Sequence, residues 1–416
     1  MTPEITYAFS PESGQIQRLV DYLLEIIQRQ FNIVFVVQPD FNRATIQFST
    51  VKSKGNYFCD LDIYRAFLED NYQGALSHLN NDPLAEAFYR LNCLQEYHLP
   101  PEKKDAYGRI RYEYTTQSMD DNIYKDIVSN LFLEFLHRYI PKPQLNVRVK
   151  SAILLSHDID RLYGGLRDQV KNIFKKSFIT NVGVIFRHIL GIRKCWDSFN
   201  EIQSLEEKFG ARSIYYFLPF KGEISNIDQA DYRISDVQLQ INKIIQTGCE
   251  IGLHKSSNDS ASYKSELELI THTLPTSNRN HYLRYRLPQD WIAMEKAGIE
   301  LDSGLGFSSM PGLRNNYPLP FQPFAGGRKL KLIVIPLVIM DTTFDKYFSA
   351  EDIITFFEEM SSQWNYGYCV SVLFHNNYLT SHSYKNFHIA YRDLLELCVK
   401  NKIKFLTTAN IKKFFF

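Results

Sequence analysis

Short apolar runs alternate with amphipathic stretches through the second part of the chain. The runs fall at Ala152–Leu155, Ser213–Leu218, Glu250–Leu253, Tyr282–Tyr285, Leu332–Met340, Val370–Phe374 and Ile403–Leu406. Each has the length of a buried strand. Between most of them, apolar positions recur at helical spacing. The segment Val237 to Thr247 carries them at 237, 241, 244 and 245, and Gly248 sits where a C-terminal cap belongs. Pro288 opens another helix, with Trp291, Met294 and Ala297 on one face and Gly298 closing it. A third runs from Tyr384 to Lys400. This alternation predicts an α/β barrel or a doubly wound sheet, and both place their chemistry at the carboxyl ends of the strands.

The first part reads differently. Short β-like runs (Ile33–Val37, Ala44–Phe48) mix with helical stretches such as Ile16–Arg29, which predicts a smaller α+β domain over 1–140 without a chemical motif. The break is placed at Pro141-Lys142-Pro143, after the apolar helical run Leu131–Tyr139, and the second domain is expected over 148–416.

Composition narrows the function. Lys and Arg number 47 against 46 Asp and Glu, so the basic excess of nucleic-acid binders is missing. The chain starts without a basic segment followed by an apolar core, and its longest apolar stretch, Leu332–Met340, is interrupted by Pro336. A bilayer span needs roughly 20 residues. The six cysteines (59, 93, 195, 249, 369, 398) are scattered with no Cys-x-x-Cys pair. Together these predict a cytoplasmic protein with reduced thiols and no transmembrane segment. The stretch Arg161 to Lys194 holds eight basic residues and one acid, Asp168. It is read as a solvated helical insertion, with peripheral membrane contact as the alternative.

The residues after each strand carry the chemistry. Ser156-His157-Asp158-Ile159-Asp160 follows the first barrel run, and His254-Lys255-Ser256-Ser257-Asn258-Asp259 follows the third. Arg279 and His281 enter the fourth, Asp302 follows Ile299–Leu301, Asp341 follows the Leu332 run, and His375 follows Val370–Phe374. Asp158 and Asp160, two apart, point the same way in extended chain. Such a pair is costly unless a cation or proton lies between them. A divalent metal on Asp160 and His254 relieves that cost and leaves Asp158 as a base. Arg279 beside a carboxylate would keep it ionised, and His375 could donate a proton to a leaving group. The plainer alternatives are a turn or helix cap for the aspartates, a surface pair for Arg279 and His281, a cap for Asp341, and packing for His157.

These residues resemble the motifs of the polysaccharide deacetylases, the NodB-homology or carbohydrate esterase family 4 group, in a branch where another domain precedes the deacetylase module. The likeness covers residues from about 150 to 416. The family's first motif, Thr-Phe-Asp-Asp-Gly, is similar to Ser156-His157-Asp158-Ile159-Asp160. Its His-Ser/Thr-x-x-His motif is similar to His254–Asn258, with Asn258 standing where a second histidine belongs. The Arg motif resembles Arg279–Arg284, the fourth motif's Asp is matched with Asp302, and the Leu-x-x-His motif with Val372–His375. The resemblance implies a distorted (β/α) barrel and a hydrolase that removes an acetyl group from an acetylated glycan or sugar precursor. It further implies Asp158 as base, with Arg279, Asp302 and His375 as further catalytic residues. The metal, zinc or another divalent ion such as cobalt, would sit on Asp160 and His254. Its third ligand is open among Asn258, His281, His272 and Asp259. Two rivals stand beside this expectation: a glycan-binding or scaffold protein that keeps the barrel but has lost the chemistry, and a glycosidase with paired carboxylates.

Overall fold

The computed structural model describes residues 2–79, 81–119, 121–140, 150–163, 196–270, 276–380 and 384–416. The Pro141–Pro143 break, His272, Cys195, His382 and nearly all of the basic stretch lie outside the described residues.

The N-terminal region builds a four-stranded sheet from β1 (Glu4–Phe9), β2 (Val34–Val37), β3 (Ile46–Ser49) and β4 (Tyr57–Phe58), in the order β2-β1-β3-β4 with every pairing parallel. Helix α1 (Gln17–Phe31) buries Leu19, Val20, Leu23, Ile26 and Ile27. That is the apolar stripe its 3.6-residue period predicts. Helix α2 (Pro83–Leu91) is capped by the Asp82 carboxylate on the Leu84 and Ala85 N–H groups, with Pro83 in its first turn. Helix α3 (Ile127–His137) is capped by Asp126 on the Ser129 N–H.

The second part is a closed barrel of seven parallel strands surrounded by helices. These are β5 (Ser151–Ile159), β6 (Ser213–Phe217), β7 (Glu250–Lys255), β8 (Ser277–Asn280), β9 (Leu301–Leu305), β10 (Ile333–Met340) and β11 (Tyr368–Leu373). Pairing of Tyr368–Leu373 with Ser151–Ser156 closes the ring. A short strand β12 (Lys404–Phe405) pairs with the start of β5. Most of these strands are buried on both faces, which is why they read as continuous apolar runs.

One strand does not follow that rule. The run Tyr282–Tyr285, expected as a strand, is a tight turn in which Tyr282 and Leu283 have φ of +57° and +54°. The strand lies just before it, in Ser277-Asn278-Arg279-Asn280, where four polar residues are all buried. An apolar-pattern reading passes over it because its side chains are satisfied inside the barrel by polar partners.

The barrel interior is layered. At the amino end Ala152, Leu154, Ile214, Leu301, Ile333, Ile335 and Cys369 form an apolar plug, closed below by Ile411 of the C-terminal helix. Moving two residues up β5, β9 and β11 turns the lining polar. Leu154 gives way to Ser156 and then Asp158, Leu301 to Ser303, and Cys369 to Ser371. Gly252 on β7 leaves the space in which the Tyr216 ring lies, since a Cβ there would collide with it.

The N-terminal region docks on the loop between β9 and β10. Arg314 forms a buried two-point ion pair with Glu96, and the Asn316 side chain joins Arg90, Gln117 and Asn122. One hydrophobic cluster runs through both parts. The N-terminal region also reaches the barrel mouth. Tyr107 stacks on Tyr282 at 4.6 Å, Arg109 donates to the Tyr282 carbonyl, and Arg284 donates to the Tyr107 carbonyl. The five described cysteines are buried and unpaired.

Candidate metal centre and catalytic cleft

Arg279 organises the centre of the barrel. Its side chain is fully buried and projects from β8 across the interior. Nη1 donates to Asp158 Oδ1 at 2.8 Å, while Nη2 reaches the hydroxyls of Ser156, Ser303 and Ser371 at 2.7 to 3.0 Å. Nε donates to the Ser303 carbonyl, and the guanidinium lies 4.7 Å over the Tyr216 ring. Each of its three nitrogens has an acceptor, as a buried guanidinium requires. The consequence is a fixed Asp158 carboxylate with one oxygen bound and the other directed toward His254, 3.5 Å away.

Asp160 sits two residues beyond, at the end of the strand. His254 Nε2 is 3.4 Å from its Oδ1, His281 Nε2 is 3.8 Å from its Oδ2, and His375 Nε2 is 3.7 Å from the same oxygen. Burial works against the ionised form of Asp160, but the surrounding imidazoles outweigh it and hold the carboxyl well below its usual range. Burial lowers His254 despite Asp158 and Asp160, which favours the neutral imidazole.

These groups fit a metal ion. One donor atom each from Asp160, His254 and His281 lies within 4.8 Å of the others. Bonds of about 2.0–2.1 Å in tetrahedral geometry place ligand atoms roughly 3.3 Å apart, close to the 3.4 Å between His254 and Asp160. Asp160 Oδ1 is buried with no hydrogen-bond partner. His254 Nδ1 bonds the Arg279 carbonyl at 2.9 Å, which leaves Nε2 free to coordinate, a common support for a metal-binding imidazole. Two nitrogens and one carboxylate oxygen are the donor set of an open, catalytic type of zinc site.

His375 stands on the other side of Asp160. Its Nδ1 bonds Asp341 Oδ1 at 2.6 Å, and its backbone N–H donates to Asp341 Oδ2 at 2.6 Å. Burial alone would lower this imidazole, but the Asp341 carboxylate outweighs that and pushes it up to about 10. Asp341, at the end of β10, also accepts the Thr342 N–H. It opens the helix Asp341–Tyr347 as that helix's first residue and not as its cap, and its carboxylate serves as the partner of His375. Sequence reading placed it at a strand end and assigned it no catalytic or metal-binding role. The available signal was its position at the end of the strand next to the one bearing His375.

Two expected site residues lie elsewhere. Asn258 turns its Oδ1 onto the Ser260 N–H, and its carbonyl accepts from Lys255. It does not line the cleft that Asp160, His254 and His281 line. Asp302 is fully buried below the rim, where Tyr285 donates to both of its oxygens, at 2.9 and 2.8 Å. Burial pushes its carboxyl up to about 7. It does not line the cleft. His157 points outward from the barrel, bonded to Glu206 and the Phe374 carbonyl, which is a packing role. Asp259 pairs with Arg284.

The cleft over these groups has a volume of about 470 Å³. Tyr107 and Arg109 form part of its wall, as do Trp196, Tyr282, Tyr347, Tyr378 and Tyr384. The two N-terminal residues were missed because nothing in the pattern of 1–140 ties them to the barrel. Among the described residues, no helix is long and apolar enough to cross a membrane.

No protein-family model matches the chain, and no curated protein matches it. Among solved structures it is similar to a crystal structure described as "putative polysaccharide deacetylase" from Mycobacterium smegmatis. The two are 13% identical with a TM-score of 0.40, over 65% of this chain and 95% of that one.

Proposed function

We propose that the protein is a metal-dependent hydrolase that removes an acetyl group from an acetylated sugar of a glycan or glycan precursor. The observation that carries this reading is the joint placement, at the carboxyl end of the barrel, of a His/His/Asp donor set between two supported proton carriers, Asp158 on Arg279 and His375 on Asp341.

Asp160, His254 and His281 hold the ion. The chemistry a divalent ion supplies there is Lewis acidity toward water and toward an acetyl carbonyl. Asp158, fixed by Arg279, accepts a proton from the attacking water. His375, held by Asp341, gives a proton to the departing nitrogen or oxygen of the sugar. Water is thereby divided between acetate and the freed amine or alcohol. Arg279 orients the base without touching substrate, and the aromatic wall of the cleft gives sugar rings flat faces to stack on.

Zinc and cobalt titration of metal-stripped protein by calorimetry, beside Asp160→Ala and His254→Ala, tests the site. Acetate release from acetylated oligosaccharides tests the reaction. Expected are one-to-one binding lost in both variants, and turnover lowered roughly 10²–10⁴-fold in Asp158→Asn with the metal still bound. Absence of metal uptake, or unchanged turnover in Asp158→Asn, overturns the reading.

A further inference from the structure

A second cavity, about 660 Å³, adjoins the catalytic cleft, and Tyr107 and His281 belong to the walls of both. Its volume falls within the roughly 300–1,000 Å³ of ligand pockets. The loops that follow β7 and β8 build most of it, and the N-terminal segment at Lys104–Gly108 closes one side.

Charge is distributed unevenly here. Three lining cations have acidic partners: Lys255 binds Glu266 at 2.7 Å, Arg284 binds Asp259 at 3.3 Å, and Arg286 binds Asp290 at 3.3 Å. Three more, Lys104, Lys264 and Lys296, line the same cavity and have no carboxylate partner among the described residues. The pairs cancel and the three lysines remain as an unmatched positive charge, although the whole chain is balanced to +1. Clefts lined by one sign of charge concentrate ligands of the other sign.

We propose that this cavity is a subsite for an anionic group, a carboxylate or phosphate, in the unit joined directly to the acetylated sugar. That the adjoining unit is an acetylated sugar rests on the deacetylase reading above. The anion preference rests on the cavity itself. A substrate bridging both cavities passes Tyr107 and His281, so the same wall that holds a metal ligand separates the acetyl end from the acidic end.

The test uses the zinc-loaded full chain and three probes: neutral tetra-N-acetylchitotetraose, a hyaluronan tetrasaccharide carrying carboxylates, and UDP-N-acetylglucosamine carrying phosphates. Binding is followed by calorimetry at low salt, with acetate release measured in parallel. At least one anionic probe is expected to bind about tenfold or more tightly than the neutral one. In Lys264→Glu/Lys296→Glu, exposed positions without a side-chain hydrogen bond or ion pair among the described residues, that advantage is expected to vanish while affinity for chitotetraose stays the same. Preference for hyaluronan assigns a carboxylate, and preference for the nucleotide sugar assigns a phosphate. Equal or absent binding of all three, or an advantage that survives the double variant, overturns the subsite. Anion preference without acetate release strikes the deacetylase reading alone, and acetate release from chitotetraose without anion preference strikes the subsite alone.

Discussion

The Arg279–Asp158 pair allows the sharpest test of how the barrel interior is held. Both side chains are essentially out of water, at 0% and 3% exposure. Arg279→Met keeps most of the stem volume and strands the Asp158 carboxylate in a dry layer. Breaking a buried pair in this way costs about 3–5 kcal/mol. The entropy of unfolding is about 2.1 cal/mol/K per residue, which for 416 residues is about 0.9 kcal/mol/K. If the chain unfolds in one transition, its melting temperature falls by about 3–6 °C. The double variant Arg279→Met/Asp158→Asn carries neither charge and is expected to regain roughly half of that loss, because the cycle isolates the interaction between the two groups. Calorimetric melts of the metal-stripped wild type, both single variants and the double variant give the four corners. If the losses of the two single variants simply add in the double variant, the two charges are not coupled. Arg279 is then held by its serines alone, and its role in orienting the base fails with it.

Other consequences can be checked separately. Zinc affinity is expected to fall at least about 100-fold in His281→Ala and to stay unchanged in Asn258→Ala; equal effects in isothermal titration would reject the assignment of the third ligand. Asp341→Asn keeps a partner for His375 but removes its charge, so kcat for acetate release is expected to fall about 10-fold or more while KM and bound zinc stay constant; a change confined to KM contradicts a positioning role. Asp126 offers a test by pH, since burial pushes its carboxyl up to about 7 from an ordinary 3.8. The folded state therefore binds the proton more tightly than the unfolded chain. Its contribution is fully present below pH 4 and is lost as pH rises through 7, by about 1.4 kcal/mol per unit at most. Asp126→Asn keeps an acceptor for the Ser129 N–H without the charge, and is expected to raise the urea midpoint at pH 8 but not at pH 4. An equal shift at both pH values is evidence against the raised carboxyl.

What could be read in the chain follows from where water is excluded. Strands such as β5, β10 and β11 are covered on both faces, so burial wrote them as apolar runs. Strand β8 is just as buried, yet its Asn278 and Arg279 were chosen for partners on other strands, and hydropathy registers no burial there. The ends of β5, β7 and β11 disclosed Asp158, Asp160, His254 and His375, since period-two geometry carries them to one rim. The pairing of His375 with Asp341 is a contact between two strand ends 34 positions apart. Local spacing does not hold that information. Nor does it hold the arrival of Tyr107 and Arg109 at the rim, because their contacts with residue 282 span more than 170 positions.

Arg279 also ties chemistry to the order of folding. Its guanidinium can leave water only when Ser156 and Asp158 on β5, Ser303 on β9 and Ser371 on β11 are already in place to receive it. A barrel short of any of these strands would leave that charge without part of its acceptor set. Ring closure and assembly of the proton-accepting pair are then a single event, and the His254 imidazole, which leans on the Arg279 carbonyl, acquires its orientation in the same step. A half-made molecule would lack the ordered His254, so the donor group proposed for the ion would form only on the complete barrel.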